Sequence, residues 1–167
     1  AAQVQAYVRD SSVDAAGALT LDAVSNQSIH ATVIAGSVAL SGGLVGASVS
    51  GAGAGSENRV AMQVQASIEG DKQNRGIRAA SVDLEASDNS NIASLTGAVS
   101  VAAAFGALGA SLSIGVGIAH NVVDNDITSY IRDVDAGVTT TTGDITLDAH
   151  ESATIVAQAF AASAAVG

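Results

Sequence analysis

The chain has 167 residues, six of them basic and sixteen acidic, and a net charge of −10 at pH 7. That balance, with Lys72 the single lysine, excludes a nucleic-acid binder, because phosphate contacts need clustered Lys and Arg. Hydrophobic residues make up 48% and aromatic ones only 2%, with 18 Gly and no Pro, Cys or Trp, which excludes a disordered chain, a disulfide scaffold and a bulky aromatic core alike.

In chain order the first element is a strand, with Val4, Ala6 and Val8 on one side and Gln3, Gln5, Tyr7 and Arg9 on the other. A turn at Ala16-Gly17 leads to Leu19-Thr20-Leu21-Asp22-Ala23, and an uncharged run follows over residues 23–56. Within it Val45, Ala47 and Val49 alternate with Gly46, Ser48 and Ser50. Residues 60–69 then alternate Val60, Met62, Val64, Ala66 and Ile68 against Ala61, Gln63, Gln65, Ser67 and Glu69. Turn chemistry at Glu69-Gly70-Asp71 precedes Val82-Asp83-Leu84-Glu85-Ala86 and a second uncharged run over 89–123. There Leu112, Ile114, Val116 and Ile118 alternate with Ser111, Ser113, Gly115 and Gly117, a strand with one apolar face and one nearly bare face. Turns at Asp135-Ala136-Gly137 and Gly143-Asp144 frame the last charged block, which ends in Ile145-Thr146-Leu147-Asp148-Ala149.

These strings repeat. The LTLDA-like segment recurs with 82 − 19 = 63 and 145 − 82 = 63 residues between copies. A second marker, Ala6-Tyr7-Val8-Arg9-Asp10, matches Ala66-Ser67-Ile68-Glu69-Gly70 and Ser129-Tyr130-Ile131-Arg132-Asp133, with a three-residue length change expected in the turn after Asp10. Every charged residue falls in one of three blocks, 9–22, 57–88 and 124–151, so each repeat has a charged and an uncharged half. Repeats of strands without helical crossovers predict an all-β parallel β-solenoid of about 2.7 copies: one segment, 1–167, with repeats at about 1–63, 64–126 and 127–167. The pattern is already under way at Ala1, which reads as a piece of something longer. Rungs of about 20 residues would put three in each repeat and roughly eight in the chain. The inward ladder is expected to hold Val4, Val8, Leu19, Leu21, Val64, Ile68, Val82, Leu84, Leu112, Ile114, Val116, Ile127, Ile131, Ile145 and Leu147.

A strand, a turn, LTLDA or ITLDA, then a long Ala/Gly/Ser/Val run ending near an Asn (GAGAGSENRV, GVGIAHNVV) resembles the repeats of large secreted bacterial surface proteins, the leukotoxin-type and haemagglutinin-type filamentous adhesins. The resemblance implies a right-handed parallel β-helix in the shaft of an exported protein at the cell surface or in the extracellular matrix, and it supplies no catalytic residues.

The function expected is structural and non-catalytic, a shaft or fibre-forming segment whose partner is another copy of itself, met end to end or laterally. The uncharged small-residue face (Ser111, Ser113, Gly115, Gly117, Gly46, Ser48 and Ser50) is the predicted self-association surface, since no charge on it opposes lateral packing. The alternative is an adhesin passenger that binds a glycan or protein. Its only cofactor candidate is calcium in the acidic turns at Asp124, Asp126, Asp133 and Asp135, although the sixth place from Asp133 is Val138 where an EF-hand loop requires Gly. His30, His120 and His150 lack metal-ligand spacing, and no nucleophile elbow or phosphate-binding loop is present. Carboxylates paired on one solenoid face are the remaining enzymatic arrangement. The Thr139–Thr142 run would bind ice only if Thr recurred in every repeat, and Arg75, Gly76, Ile77 and Arg78 stand at the matching places. Residues 98–119 are long enough to cross a bilayer as a helix, but their alternation and the lack of aromatic belts and flanking Lys or Arg argue against spanning.

Overall fold

A computed structural model describes residues 1–70 and 76–167; Asp71, Lys72 and Arg75 lie outside the described residues. Among the described residues all fourteen elements are strands. The first repeat supplies β1 (Ala2–Arg9), β2 (Val13–Asp14), β3 (Leu19–Ser25), β4 (Ser28–Gly42) and β5 (Val45–Val60). The second supplies β6 (Met62–Glu69), β7 (Ile77–Ala79), β8 (Val82–Asp88), β9 (Asn91–Phe105) and β10 (Leu108–Val123), and the third β11 (Asp126–Arg132), β12 (Val138–Thr140), β13 (Ile145–Glu151) and β14 (Thr154–Val166).

Each strand pairs with its counterpart one repeat away, giving sheets β1-β6-β11, β12-β7-β2, β13-β8-β3, β14-β9-β4 and β10-β5. The strands run parallel and in register: Val4↔Val64↔Ile127, and Leu21↔Leu84↔Leu147. The parallel β-solenoid is therefore the fold, but the rung count is corrected. One 63-residue repeat makes one turn, not three, because β4 and β5 alone use 15 and 16 residues. Ala2 pairs with Met62 while Leu19 pairs with Val82, so the length change lies between these strands, in the corner that follows Asp10. Asp10 and Asp133 hold φ of 51° and 53° in that corner, a left-handed conformation that Asp tolerates better than most residues.

The strands gather into two compact units, each drawing on all three repeats. Unit 1 comprises Ala1–Gln27, Val60–Asn91 and Val123–Thr154, and unit 2 comprises Ser28–Arg59, Ile92–Val122 and Ile155–Gly167.

Unit 1 follows the expected pattern. Val64, Ile68, Ile77, Val82 and Leu84 of the middle rung are buried. Burying each such side chain stabilises by roughly 1.5–3 kcal/mol. Val4, Val8, Leu19, Leu21, Ile127 and Ile131 sit half-buried in the flanking rungs. Ile145 and Leu147 share their register with Val82 and Leu84 and are the exposed members of the outermost rung.

Unit 2 inverts the pattern. Its two sheets, β4/β9/β14 and β5/β10, face one another across a thin interior mostly of Ala, Ser and Gly, in which Ile92 is also fully buried. Ser37 and Ser50 hydroxyls meet at 2.7 Å, Ser100 and Ser113 at 2.6 Å, and Ser56 and Thr96 at 2.6 Å. A Cβ on Gly117 would stand 2.6 Å from the Phe160 carbonyl oxygen, and one on Gly115 2.9 Å from that of Ala162. Glycine is required there by the close approach of the opposing backbone. Leu112, Ile114 and Val116, expected in the inward ladder, are instead 53%, 53% and 47% exposed. A period of two fixes which residues share a face but not which face is inside.

Candidate functional site

The densest polar constellation in unit 1 crowns the sheet β1-β6-β11. Register places Arg9 and Arg132 on either side of Glu69. Arg9 Nε donates to Glu69 Oε2 at 2.8 Å and Arg132 Nη2 to Oε1 at 3.0 Å. Tyr130 also donates its phenol proton to Oε1, and Gln65 Nε2 donates to the Tyr130 oxygen at 2.9 Å. Each guanidinium lies 5.1 Å from the ring of the tyrosine two residues before it, Arg9 over Tyr7 and Arg132 over Tyr130.

Glu69 is 8% exposed. The Tyr130 hydrogen bond, joined by the two arginines, holds its carboxyl below the ordinary range against the opposing pull of burial. The same hydrogen bond and burial push the Tyr130 phenol up, and Glu69 raises Arg9. With both carboxylate oxygens engaged, Glu69 is a clamp joining three rungs, and the guanidiniums make a local cationic row on an acidic protein.

A second polar corner forms around Asp88, which is fully buried. Its Oδ2 accepts from Ser90 N at 3.0 Å and from Asn125 Nδ2 at 2.8 Å, while Asn125 Oδ1 accepts from Met62 N at 2.9 Å. Ser25, Asp88 and Glu151 occupy one register position; Asp88 Oδ1 and the Ser25 hydroxyl have no hydrogen-bond partner.

The predicted calcium residues are all exposed. Asp124 precedes β11 and Asp126 begins it, whereas Asp133 and Asp135 occupy the β11–β12 turn, where Asp133 is accounted for by its backbone conformation. Among the described residues no three His, Cys, Asp or Glu side chains form a metal-holding group. Carboxylates do align on one face, since Asp22, Glu85 and Asp148 share a register. All three are exposed, whereas glycosidic chemistry also needs a carboxyl kept protonated by apolar surroundings. His120 Nδ1 lies 4.0 Å from Glu57 Oε1. His30 Nδ1 lies 3.3 Å from the Ser28 hydroxyl, and His150 pairs in register with Ser87. Thr139 pairs with Arg78, so no ranked Thr array exists in that sheet.

The predicted self-association face needs correction. Gly46, Ser48 and Ser50 are buried and Ser111, Ser113, Gly115 and Gly117 are half-buried, all turned into the interior of unit 2. The surface that unit 2 offers is the opposite one, bearing Val45, Val49, Leu112, Ile114, Val116 and Ile118. On the other sheet a shallow depression of about 220 Å³ is lined by residues that include His30, Thr32, Leu95 and Gln158.

The Glu69 clamp was the constellation missed in the sequence, although Arg9, Glu69 and Arg132 occupy the same place in the second marker. Comparison with protein-family models, with curated proteins and with solved structures finds no match.

Proposed function

We propose that the chain is a structural, non-catalytic shaft segment of a secreted bacterial surface or matrix protein that self-associates along its axis. The observation that carries this reading is the rung-by-rung register of unit 1, in which one repeat adds one layer. Parallel ladders of this kind extend by adding like rungs, from the same chain or from another copy. The surface or matrix setting rests on the resemblance of the LTLDA-type repeats to filamentous adhesins. Negative-stain electron microscopy with light-scattering mass over a concentration series tests it. Filaments or regular multimers are expected; a strictly monomeric rod at high concentration overturns self-association.

A second reading, receptor binding by an adhesin passenger, is favoured by the exposed Arg9 and Arg132 guanidiniums stacked on Tyr7 and Tyr130. It predicts that a monomeric chain retains glycan or protein binding that Arg132→Ala abolishes. A calcium-assisted version predicts that EDTA lowers that binding.

A further inference from the structure

The inward row of the sheet β13-β8-β3 changes character at its last step. Leu21, Leu84 and Leu147 share one register position, then Ala23, Ala86 and Ala149, and then Ser25, Asp88 and Glu151. Asp88 is 0% exposed and Ser25 2%, so this last step carries polar groups into the interior of unit 1.

Most polar atoms at this corner are accounted for. Asn89 N donates to the Ser25 carbonyl at 2.9 Å and Ser152 N to the Asp88 carbonyl at 2.8 Å, which continues the backbone ladder around the corner. Asp88 Oδ2 accepts from Ser90 N and from Asn125 Nδ2. Two side-chain oxygens remain, Asp88 Oδ1 and the Ser25 hydroxyl. They belong to registered residues of neighbouring parallel strands, whose side chains project to the same face.

The charge is unanswered as well. Both groups that hold Asp88 are neutral, and the Asn125 amide is shared with Glu151, whose Oε1 lies 3.3 Å away. Among the described residues neither carboxylate is paired with an Arg, Lys or His. A buried carboxylate without a compensating positive charge is costly. A bridging water would satisfy the hydroxyl and leave that charge in place, whereas a cation answers both. Rungs ~4.8 Å apart are about twice the ~2.4 Å at which calcium holds oxygen, so an ion between Ser25 and Asp88 reaches an oxygen of each.

We propose that Asp88 and Ser25 form an oxygen-lined site for a hard cation of the calcium class, buried between the first and second rungs of unit 1. Asp88 Oδ1 is its charged ligand and the Ser25 hydroxyl a neutral one. Water and the Ser90 hydroxyl, 3.4 Å from the same Asn125 amide, are the remaining oxygen sources. Asn125 is a positioning residue that holds the carboxylate through Oδ2, and Glu151 adds negative potential from the third rung. The site is separate from the exposed acidic turn at Asp133 and Asp135.

Both open oxygens are closed to solvent in the folded chain, so the ion is loaded by refolding. The full chain is unfolded in denaturant with EDTA, freed of both, and refolded with calcium chloride or with potassium chloride of equal ionic strength. Atomic emission after gel filtration should find calcium retained by the protein. At about a hundred times its dissociation constant, calcium should raise the melting temperature by about 5–10 °C. Asp88→Asn, with circular dichroism unchanged, should lose both the retained ion and the shift. Ser25→Ala keeps the charge and should weaken calcium binding about tenfold, which decides the matter if Asp88→Asn does not fold. Asp133→Asn combined with Asp135→Asn should bind calcium as the native chain does. Failure to retain calcium, or an equal shift in potassium chloride, overturns the proposal and reduces the effect to screening of the net charge of −10. A calcium shift that survives Asp88→Asn, or is untouched by Ser25→Ala, also overturns it and places the ion elsewhere.

Discussion

Units 1 and 2 are wound from the same three repeats, yet they fill their interiors with opposite side chains. Unit 1 packs Val, Ile and Leu inward and sets most of its Asp, Glu and Arg outside, the buried Asp88 and the clamped Glu69 excepted. Unit 2 packs mainly Ser, Ala and Gly inward, with Ile92 among them, and sets most of its Leu, Ile and Val outside. The difference is one of available depth. Where the Phe160 carbonyl stands 2.6 Å from the site of a Gly117 Cβ, no branched residue fits, and hydroxyl pairs supply the cohesion that methyl groups supply in unit 1. An interior is defined by how closely two backbones approach, and hydropathy follows from that.

The comparison can be broken most sharply at Leu84, which is fully buried in unit 1. Leu84→Ala should cost about 2–5 kcal/mol in chemical denaturation through lost burial and a residual cavity. Overfilling should do the corresponding damage in unit 2. Gly117→Val forces a side chain against the backbone of β14 and should cost about 1–3 kcal/mol or more, read as a lower melting temperature.

The clamp of unit 1 gives an effect of similar or smaller size with a distinct pH signature. Glu69→Gln weakens both arginine contacts and should cost about 1–3 kcal/mol at neutral pH. Because the Glu69 carboxyl is held below its ordinary 4.5, its contribution is complete above that value and is lost as pH falls through the depressed one. Tyr130 is raised above 10.0, so its contribution is complete below that pH and lost as pH rises through the raised value. Urea midpoints across pH should show the acid-side loss in the native chain and not in Glu69→Gln.

The smallest effect is the most discriminating. Ile114→Ser, on the outer face of unit 2 where Ile114 is 53% exposed, should change stability by no more than about 0.5 kcal/mol. A loss of 2 kcal/mol or more would mean that Ile114 is part of a folded core and would remove the inversion on which the contrast between the units rests.

Much of unit 1 was legible in the sequence because its alternation carries a sign. Where Val64 and Ile68 alternate with Gln63 and Glu69, charge marks the outside. Over residues 111–118 neither alternating set carries charge, so the phase was undetermined, and the larger side chains were assigned inward on hydropathy. A usable signal lay in the hydroxyls thirteen residues apart around each glycine-containing turn, Ser37 with Ser50 and Ser100 with Ser113. The clamp was hidden by the rung count. With three rungs per repeat Arg9, Glu69 and Arg132 would be about 14 Å apart at ~4.8 Å per rung; with one rung per repeat they touch. Asp88 was harder still, since its partner Asn125 comes from a connection whose path only the folded chain defines.

The corner after Arg9, Glu69 and Arg132 differs in length between the first and second rungs, running from Asp10 to Val13 in one and from Gly70 to Ile77 in the other, while the ladders on either side keep their pairing. Such a corner decouples sequence length from layer spacing. It is a natural place to graft a foreign peptide: an epitope inserted between Ser11 and Ser12 would be carried once per molecule, at a position fixed by the ladders on either side and not by the length of the insert.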